Sequence, residues 1–131
     1  MSGPLFRKID AYLIKAADLD AAVAFYRDRL GHAILWRTPE AVAFRLPDTD
    51  AELVVHAQLE PEVDFVVQDV ERAFADLIAA GAKPLMEPFD IAIGRCAKIE
   101  DPFGNRLTIL DQSKGKLATD AEHNVVGVVR R

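Results

Sequence analysis

One succession of predicted elements occurs twice along the chain, and this repeat restricts the fold more than any other feature of the sequence. In each copy an apolar strand precedes an aspartate, a stripe of apolar residues at helical spacing and a glycine. The aspartates are Asp18 and Asp69, and the glycines are Gly31 and Gly81. An aspartate before a helix accepts hydrogen bonds from the first free amides, and a glycine after it adopts the left-handed conformation that ends the helix. The repeat therefore predicts an internal duplication.

The helical stripes and the extended segments around them define two modules. The stripe of the first helix is Leu19, Ala22, Val23, Tyr26 and Leu30, and that of the second is Val70, Ala73, Phe74, Leu77 and Ile78. Both stripes are expected to face a sheet. The predicted strands are 9–14, 33–37, 41–46 and 52–57 in the first copy, and 63–67, 84–86, 95–99 and 107–110 in the second.

These elements predict an α+β fold built from two βαβββ modules within a single domain. Module one covers about residues 8–57 and module two about residues 62–111, and a tail follows over 112–131. The last apolar run of the tail, 125–129, is expected to dock as an edge strand or against a neighbour.

Charge and cysteine content exclude several classes of protein. Sixteen basic and 21 acidic residues give a net charge of −5, so a nucleic-acid-binding surface is not expected. Cys96 is the one cysteine, which excludes an intrachain disulfide or a thiolate metal cluster. The sequence has no apolar stretch long enough to predict a secretory signal or a membrane span. We therefore expect a cytoplasmic protein without a membrane partner.

Two local motifs, in the order set by the repeat, indicate a family. The first helix ends in FYRDRLG at 25–31, and the last hairpin carries EDPFGNRLTILD at 100–111. Within the hairpin, DPFGN favours a tight turn. Together with the two modules, these motifs resemble the vicinal oxygen chelate superfamily, which includes glyoxalase I, extradiol dioxygenases and fosfomycin- and bleomycin-resistance proteins. The resemblance covers about residues 8–111 and implies modules that enclose a ligand cavity.

The resemblance also implies where metal ligands would lie. Metal-dependent members carry His, Glu or Gln on the first and last strands of each module. Counted from the capping and turn aspartates, these positions fall on Ala11, Glu62 and Thr108, and the fourth falls on Val54 or His56. Alanine cannot bind a metal, and a neutral threonine hydroxyl is a poor ligand for the metals that these enzymes use. We therefore expect no cofactor, and the alternative is a divalent Zn, Ni, Mn or Fe ion held by His56 and Glu62.

Strand alternation selects the residues of a candidate ligand-binding cleft. Polar side chains alternate with the apolar, helix-facing ones on the first and last strands of module two, and two aromatic residues lie on adjacent strands of module one. The predicted cleft residues are His56, Glu62, Asp64, Arg106, Thr108, Trp36 and Phe44. In the alternative interpretation the polar residues face water, His56 hydrogen bonds at a cavity rim, and both aromatic residues pack in the core.

The resemblance and the altered ligand positions together suggest a function. The chain is similar to bleomycin-resistance-type proteins, which implies a homodimer that sequesters a small molecule without a metal and without chemistry. One alternative is a lyase, isomerase or dioxygenase with a displaced metal site, and another is a module that binds a second protein. The sequence identifies no catalytic residue and does not identify the ligand.

Overall fold

The computed structural model describes residues 3–130 and contains both predicted modules. In module one, the first strand is followed by a helix and three more strands. The bounds are β1 Lys8–Lys15, α1 Leu19–Val23 with a π-helical continuation over Ala24–Arg29, β2 Ile34–Arg37, β3 Ala41–Arg45 and β4 Glu52–His56. Its strands lie in the order β2-β3-β4-β1. Strand β1 is parallel to β4, and β3 is antiparallel to both β2 and β4.

Module two repeats this arrangement. The bounds are β5 Glu62–Val66, α2 Val70–Ala79, β6 Lys83–Ile91, β7 Gly94–Glu100 and β8 Arg106–Leu110. Its strands lie in the order β5-β8-β7-β6, with β5 parallel to β8 and the other pairs antiparallel. Strand β6 is longer than predicted, because two register shifts let it continue through Pro88 to Ile91.

The C-terminal residues form a hairpin of their own. Strand β9, Lys116–Thr119, pairs with β10, Val125–Val129. The turn between them repeats the hydrogen bonds of the DPFGN turn. The Asp101 carboxylate accepts from the Asn105 amide at 2.8 Å, and the Asp120 carboxylate accepts from the Asn124 amide at 2.9 Å. Extension over 125–129 is confirmed, and its pairing partner is β9.

The structure divides into two compact units. One consists of Asp10–Glu62 with Ala118–Gly127, and the other consists of the described residues before Asp10, Val63–Leu117 and the described residues from Val128 onward. Module one and the tip of the hairpin therefore belong to one unit, and module two from Val63 belongs to the other.

Both helices begin at the predicted caps. The Asp18 carboxylate accepts from the Ala21 amide at 3.0 Å, and the Asp69 carboxylate accepts from the Arg72 amide at 3.2 Å. Gly31 and Gly81 have positive φ values of 85° and 109°, which confirms their place after the helices.

Each helix packs on one face of its sheet, which we call the helix face. In module one this core contains Ala22, Val23, Ile34, Val42, Phe44 and Val55, and in module two it contains Val67, Val70, Ala73, Ala97 and Ile109. The stripe residues Leu19, Tyr26, Phe74 and Leu77 pack against these cores as partly buried side chains. The cores under both helices are thus apolar, as the stripes predict.

Leu30 is the exception, and its predicted burial is wrong. Its side chain is 52% exposed. From Ala24 the first helix widens into π geometry, and the Leu30 amide donates to the Phe25 carbonyl at 3.0 Å, five residues back. A wider turn rotates each following residue away from the 3.6-residue stripe, so Leu30 moves to solvent.

Candidate functional site

The sheet face opposite the helix, which we call the far face, is apolar at its centre in module one. Small side chains from three strands form a buried cluster: Ala11, Leu13, Ala41, Ala43 and Val54. Leu35 and Trp36 pack against this cluster. Alternation along β1, β3 and β4 explains the cluster, because the neighbouring positions supply the helix face.

One carboxylate lies at the edge of this apolar cluster. Glu52 is opposite Ala11 in the β1–β4 pair, and the Trp36 indole N–H donates to Glu52 Oε1 at 2.9 Å. Burial raises the pKa of the Glu52 carboxyl, the indole hydrogen bond acts in the opposite direction, and the charge of Asp10 adds to the increase. The cleft prediction did not include Glu52, although its alternation with Val54 places it on the far face.

The structure does not bring Trp36 and Phe44 together. Ile34 is opposite Phe44, but a bulge then shifts the register so that Trp36 is opposite Ala43. The one-residue shift moves Trp36 to the far face, while Phe44 is fully buried under the helix, 5.3 Å from the Tyr26 ring. Phe44 is therefore a core residue, and its predicted place in the cleft beside Trp36 is wrong.

His56 lies at the end of β4, opposite Lys15. Its Nδ1 accepts hydrogen bonds from the backbone amides of Gln58 and Leu59, both at 3.0 Å. These two bonds occupy the Nδ1 lone pair, so in the neutral ring the proton is on Nε2. A ring in this state has no lone pair for a metal, and its bonds hold the turn after β4.

The far face of module two is polar at its centre. Asp64 on β5 is opposite Thr108 on β8, and Thr108 is opposite Lys98 on β7. Thr108 is buried, and its Oγ1 accepts from the Lys98 ammonium at 2.9 Å. We call these three residues the polar row.

The positions on either side of the polar row differ in character. Toward one end of the strands, buried Cys96 is opposite buried Leu110. Toward the other end, Glu100 is opposite Arg106, whose side chain is exposed. A ligand on this face would meet an apolar surface at one end and charged groups at the other, with the polar row between them.

Lys98 was absent from the predicted cleft. Glu62 opens β5 as a partly buried residue, and Asp64 and Thr108 are neighbours across two strands, as alternation implies. The same alternation within the predicted strand 95–99 sets Lys98 apart from Ala97 and Ile99, which are fully buried. That signal was present in the sequence but needed the pairing of β7 with β8 to connect it to Thr108.

The residues present do not fit the metal site of the metal-dependent members of the superfamily that the chain resembles. Ala11 lies in the apolar cluster and has no ligand atom, and Thr108 receives a hydrogen bond from an ammonium group. Among residues 3–130, no group of three or more His, Cys, Asp or Glu side chains is arranged to hold a metal ion. His56 and Glu62 alone would give too few ligands for a stable centre.

Comparisons with known proteins agree with this architecture. The family model described as Glyoxalase/Bleomycin resistance protein/Dioxygenase superfamily matches residues 8–109. No curated protein sequence matches the chain. Within the described residues, no helix has the length and apolar character needed to cross a membrane.

Solved structures with the same fold include enzymes of two kinds. Methylmalonyl-CoA epimerase from Mycobacterium tuberculosis superimposes with a TM-score of 0.69 at 19% identity, over 85% of this chain and 91% of that one. The Streptomyces coelicolor epimerase, in complex with 2-nitronate-propionyl-CoA, gives 0.69 at 20% identity over 82% and 99%. Homoprotocatechuate 2,3-dioxygenase from Brevibacterium fuscum, in complex with 3,4-dihydroxyphenylacetate, gives 0.64 at 19% identity over 97% of this chain but 39% of that one. At sequence identities of 19% and 20%, the similarity shows a shared fold.

Proposed function

Because the chain belongs to the Glyoxalase/Bleomycin resistance protein/Dioxygenase superfamily, we propose that it binds a small molecule on the far face of module two without a metal ion. The observation that carries this proposal is the polar row. It combines an ammonium, a hydroxyl and a carboxylate on one sheet face, next to apolar side chains. A few polar groups in apolar surroundings are typical of small-molecule sites. The epimerase and dioxygenase structures hold a CoA derivative and a catechol, which supports a small molecule as the ligand.

Two features support metal independence: the side chains available as metal ligands, and the positive charge of Lys98. Lys98 Nζ lies 2.9 Å from Thr108 Oγ1, at the position where a metal-dependent member would carry a ligand. A divalent cation bound there would be repelled by the ammonium at close range. The ammonium can itself donate a hydrogen bond to a ligand oxygen, which supplies positive charge without a metal.

Thermal unfolding with added metal tests metal independence. With excess Zn, Ni, Mn or Fe(II), we expect no saturable increase in Tm, because only a site in the folded state links binding to stability. An increase of several degrees that saturates at one metal per chain, and that His56→Ala or Glu62→Gln abolishes, would establish the metal-dependent alternative instead.

Native mass spectrometry of protein purified without chelator tests ligand binding. We expect a retained small molecule in the native protein and its loss in Lys98→Met, which removes the ammonium but preserves most of the apolar stem. Arg45→Met is the matched control, because Arg45 is an exposed cation on module one. If Lys98→Met and Arg45→Met retain the small molecule equally, the molecule binds outside the polar row. The same spectra test our further proposal that the protein is a homodimer.

A further inference from the structure

Residues outside the far faces form a second candidate site, a cleft of about 770 Å³. The start of α1, the end of β2 and the turn of the C-terminal hairpin line this cleft, and all of these residues belong to one compact unit. The hairpin is fixed there by the Arg37 amide, which donates to the His123 carbonyl at 2.8 Å, and by a parallel bridge between Arg37 and Asn124. The family model ends at residue 109, so one wall comes from chain outside the family match.

Two residues of opposite charge line this cleft without forming an ion pair with each other. Arg37 is partly buried and Asp20 is exposed, and both line the cleft. Among residues 3–130 neither side chain forms an ion pair, either with the other or with a third residue. A partly buried guanidinium without a counter-charge has lost hydration that an anionic group would restore.

Thr38 adds a donor next to Arg37. Its Oγ1 accepts from the amides of Glu40 at 3.2 Å and Ala41 at 3.1 Å. Both lone pairs are thereby used, so the hydroxyl proton is the group that remains to be donated. Between the charged ends, Leu19, Pro39 and Val125 supply apolar surface.

We propose that this cleft binds a small zwitterionic molecule, with its anionic group at Arg37 and Thr38, its ammonium at Asp20, and its apolar body between them. The carboxylates of Asp18 and Asp20 disfavour a molecule with only negative charge, and Arg37 disfavours one with only positive charge. Asp18 is used as the cap of α1, which leaves Asp20 as the principal partner for the ammonium. No residue of this cleft belongs to the far face of module two, so the proposal does not depend on the metal-free function proposed above.

Amide chemical-shift titrations test this inference with probes of graded charge separation. The probes are leucine, γ-aminobutyrate and ε-aminocaproate, with hexanoate and hexylamine as analogues that carry one charge. We expect at least one zwitterion to give saturable shifts at Thr38, Asp20 and Asn124. We also expect it to bind at least about tenfold more tightly than either analogue, as the loss of one charge-assisted hydrogen bond implies.

Substitutions separate the two ends of the site. Arg37→Gln and Asp20→Asn should each weaken the zwitterion by about tenfold or more, whereas Arg45→Gln and Asp48→Asn, exposed residues of the same unit, should not. None of the four residues is fully buried, so each variant should fold, and an otherwise unchanged amide spectrum verifies this. Absence of saturable shifts with all three zwitterions, or binding of hexanoate that is as tight and insensitive to Asp20→Asn, would overturn the proposal. Shifts at these residues that depend on protein concentration without any probe would instead identify the cleft as a contact between copies.

Discussion

The two modules have the same element order, but the centres of their far faces differ in polarity. In module one the far face is a cluster of alanine, valine and leucine side chains, with Trp36 and Glu52 at its edge. In module two the corresponding face carries Asp64, Thr108 and Lys98 at its centre. The cores packed under the helices, by contrast, are apolar in both modules. After a duplication, packing against a helix restricts one face of each sheet, whereas the other face is free to change and to acquire binding groups.

The helices differ as well. Helix α2 keeps regular geometry over its length, and its cap and stripe agree with the sequence pattern. The first helix is α-helical for five residues and π-helical for six. Identical positions in the repeat therefore do not have identical surroundings, and substitutions in the two modules can measure where the equivalence fails.

The largest effect is expected for the helix faces, where the modules should agree. Phe44→Ala removes a fully buried ring, and Ile109→Ala removes a fully buried branched side chain. We expect losses of about 3 to 5 and 2 to 5 kcal/mol respectively in the free energy of unfolding, from lost transfer energy and an unfilled cavity. Denaturant unfolding measures both. A loss below about 1 kcal/mol for Phe44→Ala would show that the ring is not in the core.

The helices should differ in a second pair of substitutions. Leu77 is partly buried against the module-two core, so Leu77→Ala should cost about 1 to 2.5 kcal/mol. Leu30 is mostly exposed, so Leu30→Ala should stay within about 0.5 kcal/mol of the parent protein. Equal costs in denaturant unfolding would mean that the first helix stays α-helical in solution and keeps Leu30 on its stripe.

Leu30 and Trp36 also show why the sequence predicts part of the structure and not the rest. Element order, both caps and both glycine stops depend on local chemistry, and all of them are present as predicted. The π-helical segment changes the helical period by a fraction of a turn, and the bulge shifts the register of β2 by one residue. Such changes depend on tertiary packing and leave no local signal, yet they move Leu30 to solvent and Trp36 to the other face.

The candidate site was predictable in part for a similar reason. Asp64 and Thr108 follow from alternation on strands whose positions the motifs define. Lys98 needed the β7–β8 register to connect it to Thr108, whereas alternation with Val54 was enough to place Glu52 on the far face. The turn at 120–124 is a different case, because the aspartate and asparagine of DPFGN recur at the same spacing in DAEHN and could have indicated a second tight turn.

Carboxyl groups of the two modules should respond to pH in opposite directions. Burial raises the pKa of Glu52, so the folded state of module one holds this proton more tightly than the unfolded state does. Its contribution to stability is present below the ordinary value of 4.5 and is lost as the pH rises above it. In module two, the hydrogen bond from Lys114 lowers the pKa of Asp90, with further contributions from the charge of Lys114 and from Arg95. The contribution of Asp90 to stability is present above pH 3.8 and is lost as the pH falls below this value.

Unfolding curves over a pH series measure this difference. Glu52→Gln, which keeps an oxygen acceptor for the Trp36 indole, should remove the decline in stability just above pH 4.5. Asp90→Asn should be less stable than the parent protein at neutral pH and should approach it in acid. If both variants shift the profile in the same direction, the carboxyl groups of the two modules do not have opposite environments.

The smallest expected effect concerns the two aspartate-to-asparagine turns. Their fourth residues, Gly104 and His123, have positive φ values of 89° and 69°. Glycine adopts this conformation without strain, whereas a residue with a Cβ atom pays about 1 kcal/mol. Gly104→Ala should therefore destabilise the protein by about 1 kcal/mol, with open space around the new Cβ to exclude a clash as the cause. His123→Gly should have the opposite sign, a gain of about 0.5 kcal/mol or less, because relief of strain is offset by the greater freedom of glycine in the unfolded chain. Denaturant unfolding measures the free energy of unfolding of both variants. A loss of stability in His123→Gly would show that the imidazole makes a contact that outweighs the backbone strain at His123.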